Sequence, residues 1–256
     1  VFYPNHGKHS STLMRHADVA MYVAKPATSG YALYDPLEDE HSVSRLAMVG
    51  ELRHAIEDKQ LTLFYQPKIN LSEGRITGVE ALVRWNHPQR GLISPSEFIP
   101  LAERTGLIRP LTFFAIDEAL HQNHLWQIAG LDLNVSINLS AHHLQDEQLA
   151  HKVEISMGKW GVSPSSLAFE ITESAIMANP IRAMATLTQL SSMGIGLSID
   201  DFGTGYSSLI YLKQLPVDEI KIDKSFVIDM LENNDDLVIV RSTIDLAHNM
   251  GRKVVA

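Results

Sequence analysis

The feature that most constrains the fold is a regular alternation of short apolar segments with longer amphipathic ones, which begins at residue 61. The short segments are typical of strands, and the longer segments have the spacing of helices. Most of the short segments are nearly continuous in apolar residues, as in parallel strands that are buried on both faces. The sequence therefore predicts an α/β fold with a mostly parallel sheet.

The alternation predicts seven strands, six of them in βα order, at residues 61–69, 76–85, 134–140, 167–174, 196–201, 218–224 and 253–256. The longest predicted helix covers about 110–128, and another begins at Asn179-Pro180 and ends at Gly194. Only the turn at 72–75 separates the first two strands. Four residues are too few for a parallel crossover, so these strands are predicted to form an antiparallel hairpin.

The first 36 residues are predicted to be a separate piece. They contain one helical pattern, at 11–25, and one short strand pattern, at 29–36. One helix and one strand cannot bury a core, so we expect the end of a domain whose body lies upstream. Residues 37–60 are predicted to be a linker, with an exposed acidic start and an amphipathic helix at 42–58, before the main domain at 61–256.

Composition excludes several classes of protein. There is no cysteine, which excludes disulfides and sulfur-ligated metals, and the net charge of −9 argues against binding a nucleic-acid polymer. No apolar run reaches the about 18 residues of a membrane span, and the first residues do not resemble a signal peptide. We expect a cytoplasmic segment without membrane contact, although the full-length protein could be anchored upstream. The adjacent pair His142-His143 is expected to lie on the surface.

Charged and amide residues interrupt the apolar strands, mostly near their ends. They are Glu80, Arg84, Asn138, Glu170, Asp200, Asp201, Lys221 and Asp223. Burying such groups unpaired costs several kcal/mol each, so they must share partners. In a barrel the late ends of parallel strands meet at one mouth, the usual catalytic face, which favours a TIM-like barrel over a doubly wound open sheet. Carboxylate and amide oxygens suit Mg²⁺ or Mn²⁺, with more than one ion expected, whereas the structural alternative is salt bridges with Arg84 and Lys221.

Six motifs occur in an order that is similar to the EAL family, the bacterial cyclic-di-GMP phosphodiesterases. They are YQP at 65–67, EALVR at 80–84, INLS at 137–140, EITES at 170–174, DDFGTGYSSL at 200–209 and LPVDEIKIDKSF at 215–226. The resemblance covers about 47–256, and six motifs in order make it specific. ADVAMYVAK at 17–25 resembles the end of a GGDEF (diguanylate cyclase) domain, whose own signature is absent from this sequence.

The resemblance implies a TIM-like (βα)8 barrel with an antiparallel first strand, and hydrolysis of cyclic-di-GMP to linear pGpG. It implies that two ions, Mg²⁺ or Mn²⁺, are held by Glu80, Asn138, Glu170, Asp200 and Asp201. It also implies that Lys221 holds or deprotonates the attacking water and that Gln66 and Arg84 bind the substrate.

The remaining implied roles concern the segment that follows Asp201. Glu173 is expected to anchor this loop, and Asp223 is expected to support the metal site. Gly203 and Gly205 are expected to adopt positive φ angles in a mobile loop that couples substrate, metal and a second subunit.

In the family, the strand at 253–256 continues into a motif that begins with a catalytic glutamate, and we expect that this sequence lacks the last strand and helices of the barrel. The alternative function is a non-catalytic receptor that binds cyclic-di-GMP and signals to the upstream GGDEF or sensor domain. The family also implies a homodimer.

Overall fold

The computed structural model describes residues 1–24, 31–35, 43–58, 60–205 and 209–256. In chain order the elements are α1 (Ser10–Ala24), α2 (Val43–Glu57), β1 (Leu61–Asn70), β2 (Arg75–His87), β3 (Gly91–Ile93), α3 (Pro95–Thr105), α4 (Ile108–Ile128), β4 (Asn134–Leu139), α5 (Leu149–Trp160), β5 (Leu167–Thr172), α6 (Glu173–Ala178), α7 (Pro180–Ser192), β6 (Gly196–Phe202), α8 (Leu209–Gln214), β7 (Glu219–Ile222), α9 (Lys224–Ile228), α10 (Asn234–Asn249) and β8 (Lys253–Val255). Two 3₁₀ turns lie at His143–Gln145 and Pro164–Ser166. Within these ranges, no helix has the length and apolar character that a membrane crossing requires.

The chain divides into two compact units. The first comprises Val1–Gln60 and Trp85–Thr105, and the second comprises Leu61–Arg84 and Gly106–Ala256. Residues 85–105, which the sequence placed within the main domain, thus belong to the first unit by their packing.

The first unit contains α1, α2, β3 and α3. The end of β2 pairs antiparallel with β3, with Trp85 opposite Ile93 and His87 opposite Gly91. Trp85 and Phe98 are fully buried and pack edge to face. The helices predicted for α1 and α2 are confirmed.

The second unit is built on a mostly parallel sheet, and its strands have the order β1-β2-β4-β5-β6-β7-β8. β1 is antiparallel to β2, as the four-residue turn predicts, and β2 begins the parallel part by pairing with β4. The later pairs, from β4 to β8, are all parallel. Fully buried side chains such as Phe169, Leu167 and Ile171 on β5 lie in its core, where shortening Phe169 to alanine would cost about 3–5 kcal/mol.

This sheet is strongly curled. Four strand spacings separate β2 from β7, which would place them about 19 Å apart in a flat sheet. Yet Lys221 Nζ on β7 lies 2.7 Å from Glu80 Oε2 on β2. The curled parallel sheet with an antiparallel first strand confirms the predicted α/β class and its barrel-like character.

Three details of the sequence prediction differ from the structure. Residues 31–35, the described part of the predicted strand at 29–36, form no strand, and the acidic segment 37–41 lies outside the described residues. β5 ends at Thr172 because the Thr172 side chain caps α6 by accepting a hydrogen bond from the Ala175 backbone N–H, so Glu173 begins a helix. The short strand β3 was not predicted, since three residues carry little periodicity.

The expected surface position of His143 is also wrong. Its side chain lies in a 3₁₀ turn and is fully buried, whereas His142 beside it is exposed. The Ser140 hydroxyl lies 3.0 Å from His143 Nδ1, and the ring contacts the edge of Phe113. This turn is too short to carry a periodic pattern, so nothing in the sequence distinguishes the buried His143 from the exposed His142.

Candidate metal centre

Five consecutive parallel strands of the second unit each contribute one polar side chain to the same region. Glu80 comes from β2, Asn138 from β4, Glu170 from β5, Asp200 from β6 and Lys221 from β7. The strand register places Asn138 beside Glu170, and it places Asp200 two residues beyond Ser198, which lies opposite Glu170. The convergence that the sequence predicted for these five residues is therefore present in the structure.

Lys221 lies at the centre of three carboxylates. Its Nζ donates hydrogen bonds to Glu80 Oε2 at 2.7 Å, to Glu170 Oε2 at 2.8 Å and to Asp200 Oδ2 at 3.3 Å. One carboxylate oxygen from each of these acids lies within 4.8 Å of the others. The three acids thus bring negative charge to one point, where a single cation can contact all of them.

Asn138 fixes the orientation of Glu80. Its Nδ2 donates a hydrogen bond of 2.8 Å to Glu80 Oε1, which leaves Glu80 Oε2 to face Lys221. The amide oxygen of Asn138 remains available as a neutral ligand. Three carboxylates and one amide are hard oxygen donors without sulfur or histidine, and this donor set fits Mg²⁺ or Mn²⁺.

A second lysine, Lys68 on β1, binds the other face of Glu170. Its Nζ donates to Glu170 Oε1 at 2.7 Å, to Ser136 Oγ at 2.9 Å and to Glu219 Oε1 at 3.2 Å. Sequence reasoning missed Lys68, Ser136 and Glu219. A charged residue within an apolar strand is the signal that could have identified Lys68 and Glu219. The prediction used this signal only at the late ends of the parallel strands.

The pKa values follow from burial and from these ion pairs. Burial disfavours ionised Glu170, but Lys68 and Lys221 outweigh this effect and lower the pKa of its carboxyl group. Burial likewise acts against the Lys221 ammonium, yet Glu170, Glu80 and Asp200 outweigh it and raise the pKa of Lys221. For Asp200, burial dominates over Lys221 and raises the pKa. Ion pairs between Lys221 and the three acids, which the salt-bridge alternative also expects, are thus present in this arrangement.

Asp201 lies next to this cluster with an unusual backbone conformation. Its φ of 53° is in the left-handed region, and its backbone N–H donates to Asp200 Oδ1 at 2.9 Å. Burial, then the charges of Asp200 and Asp223, raise the pKa of its carboxyl group. Asp223 accepts a hydrogen bond from the Ser225 backbone N–H and so caps α9, and its hydrogen bonds with Ser225 lower the pKa of its own carboxyl group.

The two glycines after Asp201 differ in their roles. Gly203 has a φ of 99°, as predicted, and a Cβ at this position would lie 3.1 Å from Phe226 Cε2. Gly205 does not share this conformation, so the prediction of a positive φ is wrong for it. Its lack of a side chain leaves room for Glu173 instead, because a Cβ there would lie 2.9 Å from Glu173 Oε1 and the carboxylate would have to move.

Glu173 is buried beside this segment. Within the described residues, neither of its carboxylate oxygens has a hydrogen-bond partner. Residues 206–208 of the same motif lie outside the described part of the chain.

The two predicted substrate-binding residues lie apart from the hydrogen bonds that hold the carboxylates. Gln66 is exposed on β1. The Arg84 guanidinium lies 5.5 Å from the centroid of the Phe64 ring, and its Nη1 donates to the Val83 carbonyl at 2.9 Å. The salt bridge between Arg84 and the acids, which belongs to the alternative without a metal, is not among the ion pairs of the described residues.

The fold and the site together define an α/β protein with an acidic cluster that could hold a metal ion, at the carboxyl ends of parallel strands. The family comparison matches the EAL domain over residues 49–256. This chain belongs to the EAL domain family.

The chain is similar to two curated relatives and to one solved structure. The bifunctional diguanylate cyclase/cyclic di-GMP phosphodiesterase MucR of Pseudomonas aeruginosa is 43% identical over 256 residues, which are 99% of this chain and 37% of MucR. The cyclic di-GMP phosphodiesterase PdeR of Escherichia coli is 37% identical over 254 residues, 99% of this chain and 38% of PdeR. The chain therefore spans less than two fifths of the length of either relative.

The structure of the PaMucR phosphodiesterase in complex with c-di-GMP superposes with a TM-score of 0.78 at 44% identity. The match covers 81% of this chain and 85% of that structure. The likeness therefore extends over most of both chains.

Proposed function

We propose that this chain hydrolyses one phosphodiester bond of cyclic-di-GMP and releases linear pGpG in a reaction that requires Mg²⁺ or Mn²⁺. The observation that carries the proposal is the convergence of three carboxylates, those of Glu80, Glu170 and Asp200, around the Lys221 ammonium. Asn138 lies beside them and binds Glu80. Two relatives named as cyclic di-GMP phosphodiesterases and the c-di-GMP complex of MucR support the choice of substrate.

Glu80, Asn138, Glu170 and Asp200 would hold the first ion, and Asp200 and Asp201 would hold the second. Bound dications supply Lewis-acid polarisation of the phosphate and neutralise charge on the attacking and leaving oxygens. The oxygen-only donor set and the φ of 53° at Asp201, which turns the chain sharply after Asp200, support this assignment.

Lys221 is proposed to hold the attacking water and to take its proton. The water oxygen forms the new bond to phosphorus and the bond from phosphorus to the 3′ oxygen breaks. That oxygen leaves as a hydroxyl after it takes a proton from solvent, to which Lys221 returns the proton that it removed from the water. The pKa of Lys221 is raised while its three carboxylate neighbours pair with it. When these carboxylates instead bind dications, the charged ammonium is disfavoured, which suits a base near neutral pH.

Arg84 and Gln66 are proposed to bind the substrate. Arg84 is half-buried, and its guanidinium keeps donors that match a phosphate in fork geometry. Gln66 is exposed on β1 and can donate or accept hydrogen bonds to a guanine base.

Glu173, Gly203, Gly205 and Asp223 are proposed to shape the segment after Asp201. Support comes from the close approach of Glu173 to Gly205 and from the pKa of Asp201, which Asp223 helps to raise. We infer that this segment couples substrate binding to the metal centre.

Residues 1–36 are proposed to be the end of a GGDEF domain, and the full-length protein is proposed to carry this or another sensor domain upstream. The alignment with MucR supports this, because it covers 99% of this chain and so includes residues before the EAL match at 49–256. A homodimer remains a prediction from the family resemblance.

The test is chromatography of cyclic-di-GMP after incubation with the purified chain and Mg²⁺ or Mn²⁺, with EDTA in a parallel reaction. We expect linear pGpG only in the presence of the metal. Unchanged cyclic-di-GMP with a folded protein that still binds it would overturn the hydrolase proposal and support a receptor.

A further inference from the structure

Lys68 is a second cationic group beside the candidate metal centre, on the side of Glu170 away from Lys221. Its Nζ binds Glu170 Oε1, whereas Lys221 binds Glu170 Oε2. The Glu170 side chain is fully buried, so it has little freedom to turn away from either lysine. Among the ion pairs of the described residues, Glu170 is the carboxylate that the two lysines share, and the second acid of Lys68 is Glu219.

The charge of Lys68 acts on the centre through one carboxylate. Lys68 binds Glu170 Oε1, so a metal ion that binds Glu170 Oε2 would be separated from the Lys68 ammonium by a single carboxylate group. The two positive charges would repel each other. The side chain of Lys68 is 17% exposed, so water screens this repulsion only in part.

Glu219 opposes this effect. Its Oε1 lies 3.2 Å from Lys68 Nζ, and Ser136 Oγ completes the coordination of the ammonium at 2.9 Å. Within the described hydrogen bonds, Glu219 does not bind Lys221. It pairs with Lys68 and supplies its counter-charge. Its presence partly neutralises Lys68 and weakens the hold of Lys68 on Glu170.

We propose that Lys68 and Glu219 form a charge pair that sets the divalent-cation affinity of the centre through Glu170. Lys68 lowers this affinity and Glu219 raises it. Both are positioning residues, because they act through Glu170. The inference rests on the proposed metal centre and adds to it two residues outside the ligand set.

The proposal predicts opposite effects for two substitutions. Lys68→Met keeps the length of the side chain and removes its charge, so Mn²⁺ should bind about tenfold more tightly. Glu219→Gln removes the counter-charge, so Mn²⁺ should bind about threefold more weakly, a smaller change because Glu219 is farther from the centre. A merely structural role would make both variants weaker.

The experiment is titration calorimetry of the full chain with MnCl₂ at about pH 8, where free carboxyl groups are ionised. Lys159→Met serves as the matched control for Lys68→Met, since Lys159 pairs with Asp117 at a similar distance of 2.9 Å but is exposed. Glu73→Gln is the control for Glu219→Gln, because Glu73 pairs with Arg75 in the exposed turn. Circular dichroism checks the fold, and Lys68→Gln replaces Lys68→Met if the latter does not fold.

Tighter binding by the Lys68 variant and weaker binding by the Glu219 variant, with both controls unchanged, support the proposal. Weaker binding by both variants, or affinities equal to wild type, overturn it while the metal centre stands. If the wild-type chain binds no Mn²⁺, the metal centre itself fails and this inference fails with it. The double variant should lie between the two single variants.

Discussion

Asn138 on β4 donates a hydrogen bond of 2.8 Å to Glu80 on β2, and this contact selects which Glu80 oxygen faces the centre. Oε1 is held by the amide, so Oε2 points to the position that it shares with Glu170 and Asp200. An amide can serve here both as a donor to a carboxylate and as a neutral oxygen ligand, a combination that no carboxylate provides.

Asn138→Ala removes both functions, so we expect a loss of activity. Glu80 would lose the contact that fixes Oε2, and the centre would lose one oxygen ligand. We expect kcat/KM for cyclic-di-GMP to fall by about 10- to 100-fold. The measurement is steady-state kinetics in saturating Mn²⁺, with Asn134→Ala on the same strand, outside the cluster, as the control. Equal kinetics for Asn138→Ala and wild type would contradict the role of Asn138.

Lys221→Met should separate chemistry from metal binding. The substitution removes the group that we propose to hold and deprotonate the water, and loss of general acid–base catalysis costs about 10²- to 10⁴-fold in rate. The three carboxylates remain, and they lose a competing cation. We therefore expect kcat to fall by at least about 10²-fold while Mn²⁺ binding by calorimetry is retained. A variant that loses Mn²⁺ binding altogether would instead show that Lys221 holds the site together.

Divalent cations should stabilise the chain, and Glu170→Gln should abolish this stabilisation. At a hundredfold excess over Kd, binding adds about 2.7 kcal/mol to the free energy of unfolding. For a chain of this size the shift in Tm is roughly 5–10 °C. Glu170→Gln removes the buried carboxylate that two lysines and the proposed ion share, so its Tm should start lower and respond little to Mn²⁺. Differential scanning calorimetry with and without EDTA measures both effects, and Glu73→Gln should behave as wild type.

The sequence predicted the convergence of the three acids because one physical rule covers it. Charge at the late end of an apolar parallel strand has to meet its neighbours at one edge of the sheet, and Glu80, Glu170 and Asp200 obey this rule. Lys68 was missed because β1 runs antiparallel, so its late residues meet the early residues of the other strands. Glu219, the first residue of β7, is one of these early residues.

Local conformation was harder to predict than convergence. Gly203 and Gly205 lie in the same motif, but only Gly203 has a positive φ, whereas a Cβ at Gly205 would displace the Glu173 carboxylate. Glu173 is distant from Gly205 in the sequence, so this packing constraint leaves no local pattern. The left-handed conformation of Asp201 likewise has no signal in a stretch whose neighbours suggest a simple strand end.

Gly203→Ala should impair both the fold and turnover. Alanine at a φ of 99° is strained, and its Cβ would press on Phe226 Cε2 at 3.1 Å, so we expect a loss of about 1–3 kcal/mol in stability. Turnover of cyclic-di-GMP should fall because the segment after Asp201 would shift. Gly74→Ala is the control, since it has a φ of 64° but nothing within 4 Å of its Cβ. Wild-type turnover by a folded Gly203→Ala protein would contradict the proposed coupling through this segment.

His143 should make the stability of the chain depend on pH in the acidic range. Burial, reinforced by the charges of Arg109 and Lys152 and opposed by Asp146, lowers the pKa of His143 to about 4. In the unfolded chain a histidine has a pKa of about 6.5, so between these values the unfolded state binds more protons than the folded state. Stability must then fall as the pH decreases from about 6.5 to about 4, by about 3 kcal/mol over the whole window.

Urea unfolding at a series of pH values measures this dependence. His143→Leu removes the titrating group, so its free energy of unfolding should decline less between pH 6.5 and pH 4, by about 3 kcal/mol relative to wild type. His142→Leu is the matched control, because His142 is the exposed neighbour in the same turn, and it should keep the wild-type slope. Parallel pH profiles for wild type and His143→Leu would show that the buried ring takes up its proton without opposing the fold.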